Sequence, residues 1–194
     1  MKTIGENFDG FFILHTLSIQ KPIYKMEEII FRQATMNDAE AIWEILQEAI
    51  LKRKQDGSSQ WQNGYPNPTV IAEDIDKGFA YVMQHKNGEL KGYIAIIDEV
   101  EPAYEKIDGR WLSNREALVV HRLAVAQDHP VKGLGTWAMR EVEKVANAKN
   151  INSIKVDTNH DNHGMLRIFE KLGYVYCGEV ELSGGKRKAF EKII

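Results

Sequence analysis

Gly133 and Gly135 stand two residues apart in the run Val131-Lys132-Gly133-Leu134-Gly135-Thr136, and His121 and Arg122 are the polar residues in the otherwise apolar stretch 117–126 before it. Glycines at a helix start let backbone N–H groups approach an anion with no Cβ in the way. The first N–H groups of a helix lack intrahelical partners and sit at the positive end of its dipole. Phosphate binding is therefore one chemistry open to this stretch; tight strand–helix packing is the other, and the spacing alone leaves both open. A phosphate loop of the NTPase type needs a Gly-Lys-Ser/Thr ending that is absent here. The dinucleotide fingerprint tolerates Ala138 as its third position, but it belongs straight after the first strand of a domain, and several strands precede this one.

The elements that must position this loop follow from periodicity. Residues 117–126 read as a strand buried on both faces, and Leu134, Ala138, Val142, Val145 and Ala146 recur at helical spacing after it. Upstream, 28–34 reads as a strand and Asn37 as a helix cap, with Ile42, Ile45, Leu46, Ala49 and Ile50 on one face of a helix reaching about Lys54. The stretch 56–68 is a loop carrying Trp61 and Tyr65, followed by a short helix, 69–77. Strands 79–84 and 91–98 flank a hairpin turn at 85–88, and 101–115 is a polar excursion with Tyr104 and Trp111. A strand at 152–158, a helix at 161–172 closed by Gly173, and strands 174–182 and 186–193 around Ser183-Gly184-Gly185 complete the order. This is an α/β (α+β) chain with a mixed, mostly antiparallel sheet, flanking helices and a central parallel β-α-β unit.

Composition narrows the class. With 194 residues, 43% of them apolar, one domain with its own core is expected, and a net charge of −3 gives no reason for nucleic acid or an anionic membrane as partner. No segment approaches the roughly 20 apolar residues of a membrane span. The single cysteine, Cys177, excludes an intrachain disulfide and suits a reducing, cytoplasmic setting as a small buried hydrophobe. His160 and His163 have no third ligand at zinc-like spacing, so no metal is expected. Residues 1–25 carry one short apolar cluster and are expected to be a loose arm outside the native domain, which would span 26–194.

Residues 121–139 and 156–174 resemble the acetyl-CoA-binding core of the GNAT family of N-acetyltransferases, a likeness extending over about 28–193. The second segment carries the family's Asn…Ala…Tyr-x-Lys-x-Gly-Phe pattern at Asn162, Met165, Phe169, Lys171, Gly173 and Tyr174. The resemblance implies acetyl-CoA as co-substrate, with its pantetheine arm against the backbone of Leu123, Ala124 and Val125. It implies the pyrophosphate on the N–H groups of Val131, Lys132, Gly133, Leu134, Gly135 and Thr136, with Asn162 hydrogen-bonded to the pantetheine. Two positions depart from the family: Pro130 replaces a Gln or Arg, and Phe169 replaces the tyrosine that often protonates the departing thiolate. Tyr174, Thr158 or water is then left for that step.

Amide formation from a thioester needs an unprotonated amine and backbone donors for the charge that builds on oxygen. The N–H of Leu123 is the donor by resemblance, and His121 and Glu116 are the candidate bases. Strand alternation places His121, Leu123 and Val125 on one face, and Glu116 and Arg122, which could pair with each other, on the other. Each also reads as an ordinary strand residue. Trp61 and Tyr65, with Tyr104 and Trp111, are expected to wall the acceptor side and to suit a small amine. A protein N-terminus or lysine as acceptor, and a non-catalytic acyl-CoA sensor, are the competing readings. Family members often pair edge strands into homodimers, which the sequence leaves open here.

Overall fold

The computed structural model describes residues 24–128, 130–182 and 185–194. The expected arm falls outside these residues, except for Tyr24 and Lys25, as does most of the last hairpin's turn.

The strands are β1 (Ile29–Gln33), β2 (Ala80–His85), β3 (Leu90–Ile97), β4 (Asp108–Gly109), β5 (Leu118–Val125), β6 (Ser153–Thr158), β7 (Val175–Leu182) and β8 (Gly185–Ile193). They form one eight-stranded sheet in the order β1-β2-β3-β5-β6-β8-β7-β4, in which β5 and β6 are the parallel pair. Helices α1 (Ala39–Gln55) and α2 (Pro68–Asp76) pack one face, against Ala80, Val82, Tyr93, Ala95, Ala124 and Ala126. Helices α3 (Leu134–Ala148) and α4 (His163–Leu172) pack the other, against Ile94, Ile96, Leu118, Val120, Ile154 and Val156.

Local chemistry sets the helix ends. Asn67 accepts from Val70 N–H ahead of Pro68 at the first turn of α2, and Asn162 caps α4 by accepting from Met165 N–H at 3.3 Å. The cap expected at Asn37 is corrected by the structure. A 3₁₀ turn, Met36–Asp38, leads into α1, and Thr35 and Asp38 satisfy each other's backbone groups. Asp38 is preferred because Arg32 on β1 forks onto it at 2.8 and 2.9 Å.

The polar excursion is more ordered than its sequence suggests. It contains a 3₁₀ segment, Pro102–Lys106, and β4, too short for any periodicity to reveal. Its far end is pinned by Glu191 of β8, fully buried, which accepts from Leu112 N–H (2.6 Å), Ser113 N–H (3.2 Å), Ser113 Oγ (2.7 Å) and Ser153 Oγ (2.6 Å). The segment is thereby held across the end of β5, where it delivers Glu101.

The Asp38 carboxyl is lowered to about 2, first by its hydrogen bond from Arg32 and then by Thr35 against the cost of burial. A depressed folded-state value stabilises above the ordinary carboxylate range, near pH 4, and the gain is lost as pH falls toward 2. Urea unfolding of Asp38→Asn should show a deficit of about 2 kcal/mol at pH 6 that shrinks to near zero at pH 2.

Candidate active site

Strands β5 and β6 pair through Leu118–Val120 with Ile154–Val156 and then separate. Residues 121–125 pair only with β3, so the edge of β5 that would face β6 is open there. A cavity of about 570 Å³ lies at this gap. Its walls come from β5, the end of β6, the N-terminal ends of α3 and α4, and the loop between α1 and α2.

On the α3 side, Gly133 takes a left-handed conformation (φ 82°) at the helix cap, with open space where a Cβ would stand. A Cβ on Gly135 would lie 3.1 Å from Ile168 Cδ1 and 4.0 Å from Leu123 Cδ2, so a large side chain there would crowd the cavity. The N–H groups of Gly135 and Thr136 belong to the first turn and have no intrahelical acceptor. Leu123, Ala124, Val125, Val131, Gly133, Leu134, Gly135, Thr136 and Asn162 all line the cavity; Lys132 is exposed beside it and Phe169 lies behind it. The Asn162 side-chain oxygen caps α4, and its amide nitrogen donates to Gln60 Oε1 at 3.3 Å. Phe169 is fully buried, with ring centroids 5.4 Å from Tyr174 and 4.9 Å from Phe190. The Tyr174 hydroxyl is buried without a partner and outside the cavity lining, whereas Thr158 lines the cavity.

On the other side, the expected strand alternation fails at one residue. Tyr93 pairs with Ala124 but Ala95 with His121, so Arg122 and Leu123 together face Ile94 across a bulge, and Arg122 has φ 56°. His121 and Arg122 consequently both reach the cavity, while Leu123 packs with Val120 toward α3. Arg122 does not pair with Glu116. Its Nε and Nη2 donate to Asp74 of α2 at 2.8 and 2.6 Å, and Nη1 donates to the Tyr65 hydroxyl. Tyr93 donates its hydroxyl to the same carboxylate, and burial, then Asp74, pushes that phenol's pKa up. Glu116 is exposed before β5 begins and lines a separate cavity of about 450 Å³ with Trp111 and Lys155.

His121 lies between two carboxylates: Nε2 is 3.3 Å from Glu101 Oε2 and Nδ1 is 3.6 Å from Asp157 Oδ1. Glu101 is held below the usual carboxylate range, first by its hydrogen bond with His121. Tyr104, expected in the wall, is buried beneath His121, where its hydroxyl donates to Asp157 Oδ1 at 2.8 Å. Burial and that carboxylate push its phenol far up. Trp61 and Tyr65 do line the cavity, as do Leu182 and Arg187. Spacing along the sequence gives no sign that Glu101, Asp74, Asp157 and Arg187 meet here. Only the Glu101-Pro102 pair offered a hint, as the start of a fixed turn. Among the described residues, no His/Cys/Asp/Glu group could hold a metal ion, and no helix is long and apolar enough to cross a membrane.

A strand pair that parts at a bulge, with a glycine-bearing helix start on one side and a half-buried histidine on the other, fits the acyl-transfer core that the sequence resembles, and comparison with known proteins agrees. The model of the acetyltransferase (GNAT) family matches residues 39–174. The chain belongs to this family and is an acyltransferase. A GNAT acetyltransferase structure from Streptococcus agalactiae is 33% identical, with 89% of this chain and 99% of that one covered and a TM-score of 0.78. The uncharacterized N-acetyltransferase YesJ of Bacillus subtilis is 26% identical over 75% of this chain and 81% of its own. The fold is shared with yncA of Salmonella typhimurium, solved with its cofactor acetyl-CoA, at 16% identity and a TM-score of 0.62, covering 86% and 94% of the two chains.

The Asp74–Arg122 pair, each side chain 7% exposed, ties α2 to the bulge. Asp74→Ala would leave the guanidinium buried and unpaired and should lower unfolding stability by about 3–5 kcal/mol in urea. Arg122→Met in the same chain should recover most of that loss.

Proposed function

We propose that this chain is an acetyl-CoA-dependent N-acetyltransferase that moves an acetyl group to the primary amine of a small molecule by direct attack within a ternary complex. The observation that carries this is one cavity reached from one side by the first turn of α3 and from the other by His121. The residues present fit the co-substrate. Gly133 and Gly135 leave backbone space at a helix N-terminus for a pyrophosphate, and the unpaired edge of β5 at 121–125 can receive an amide-bearing arm as an added strand. The fold's occurrence with acetyl-CoA in yncA supports the same reading.

Acetyl-CoA, when bound, supplies an activated acyl group as a thioester. The amine nitrogen gains a bond to the acyl carbon as the carbon–sulfur bond breaks, so one proton must leave nitrogen and one must reach sulfur. His121 takes the first. Glu101 alone is a weak base because its carboxylate is held low, yet it and Asp157 orient the imidazole and compensate its charge once protonated. The Leu123 N–H supplies the donor for the charge developing on the carbonyl oxygen. Tyr65 supplies the second proton in place of Phe169. Arginine donates only, so the Tyr65 oxygen accepts from Arg122 and its own hydrogen is free to point into the cavity. Trp61 and Tyr65 on one side and Leu182 on the other close the acceptor end around a small molecule.

Thermal denaturation with acetyl-CoA at about 100 times its dissociation constant should add roughly 2.7 kcal/mol and raise the midpoint by several degrees. Gly135→Glu should abolish that rise, and its absence from the parent chain at millimolar acetyl-CoA would overturn the proposal. In thiol-release assays with primary-amine acceptors, His121→Ala should lower kcat about 10²–10⁴-fold with the acetyl-CoA midpoint shift intact. Tyr65→Phe should lower kcat by a smaller factor.

A further inference from the structure

Arginine carries five N–H donors and keeps its charge at any physiological pH. Of the arginines that line the cavity, Arg122 is satisfied by Asp74 and Tyr65, and Arg53 donates to Ser58 Oγ at 2.7 Å and to Asp161. Arg187 differs. It is 9% exposed, its side chain makes no hydrogen bond among the described residues, and its Nε, like that of Arg53, is buried without an acceptor. The nearest carboxylate oxygen, Asp157 Oδ2, lies 3.8 Å from Nη1, beyond hydrogen-bond range. A buried cation with unfilled donors is costly unless something else fills them.

The position of Arg187 on β8 explains where that filler would come from. It lies one residue beyond the last β6–β8 pair, Thr158 with Lys188, so its side chain reaches past the end of β6 into the cavity. His121 Nδ1 and Arg187 Nη1 approach opposite oxygens of the same carboxylate, at 3.6 Å from Asp157 Oδ1 and 3.8 Å from Oδ2. A ligand with an amine at His121 and an acid group on Arg187 therefore needs only a few bonds between the two. Guanidinium forks match carboxylates in two-point geometry.

We propose that the acceptor is an amine of the amino-acid class, its carboxylate held by Arg187 and its amine presented to His121, with its side chain toward Trp61, Ile97 and Leu182. This rests on the acetyltransferase reading above and names the substrate class of that site. Arg187 is a specificity residue: it holds the far end of the acceptor and takes no part in proton transfer.

The test compares leucine, methionine and phenylalanine with their decarboxylated counterparts, 3-methylbutylamine, 3-(methylthio)propylamine and phenethylamine, in thiol release by the full chain at saturating acetyl-CoA. At least one acid should exceed its counterpart by roughly 100-fold in kcat/KM, the scale of truncating one partner of a buried charge pair. Arg187→Gln should bring that pair within about fivefold, through KM for the acid, and leave the acetyl-CoA midpoint shift unchanged. Arg187→Lys should retain part of the preference. If Arg187→Gln does not fold, the parent chain's substrate pairs and Arg187→Lys decide. Counterparts acetylated as well as the acids, a preference that survives Arg187→Gln, or no acid acetylated by a chain that acetyl-CoA stabilises would each overturn the inference. Absence of any acetyl-CoA shift would instead overturn the acetyltransferase reading on which it rests.

Discussion

Everything in the site depends on a parallel strand pair that is not allowed to stay paired. Three residues of β5 hydrogen-bond with β6, and the two then diverge beside a bulge at Arg122. A left-handed conformation costs a non-glycine residue about 1–2 kcal/mol. The fork of Arg122 onto Asp74 offsets this cost by fixing the bulged residue from the α2 side. The result is an open strand edge in the middle of a sheet, where a bound chain can complete the hydrogen-bonding pattern that β6 leaves unfinished.

The bulge also decides which side chains meet. In an unbroken strand His121 and Arg122 would face opposite layers; here both reach the α1–α2 side, while Leu123 and Val125 pack with the α3–α4 core. Around His121 the polar groups come from three separate segments. Glu101 and Tyr104 are carried by the excursion, Asp157 by the end of β6 and Arg187 by β8. Glu191 and the β4–β7 pairing hold the excursion in place, so a stability feature remote from the cavity sets the position of a residue inside it.

Much of the fold was legible because its signals are local. Period-two and period-3.6 patterns located the strands and helices to within a few residues, and the caps at Gly133 and Gly173 stand where the glycines suggested. β4 was missed because two residues carry no period, and the α1 cap was misplaced because Arg32, on another strand, selects Asp38. Phe169 stands where the family's pattern has tyrosine, and its side chain is buried with Tyr174 and Phe190 and gives no polar group to the cavity.

The sequence by itself determined the order of the longer elements, the parallel unit and the glycine-bearing helix start, because each is written in spacing along one segment. The meeting of His121 with Glu101 and Asp157, the pairing of Arg122 with Asp74 rather than Glu116, and the unfilled donors of Arg187 were decided only by the tertiary structure. The physical reason is the bulge. One inserted residue reverses the facing of a strand, and spacing in the sequence of β5 does not reveal an irregularity that is defined by its register with β3.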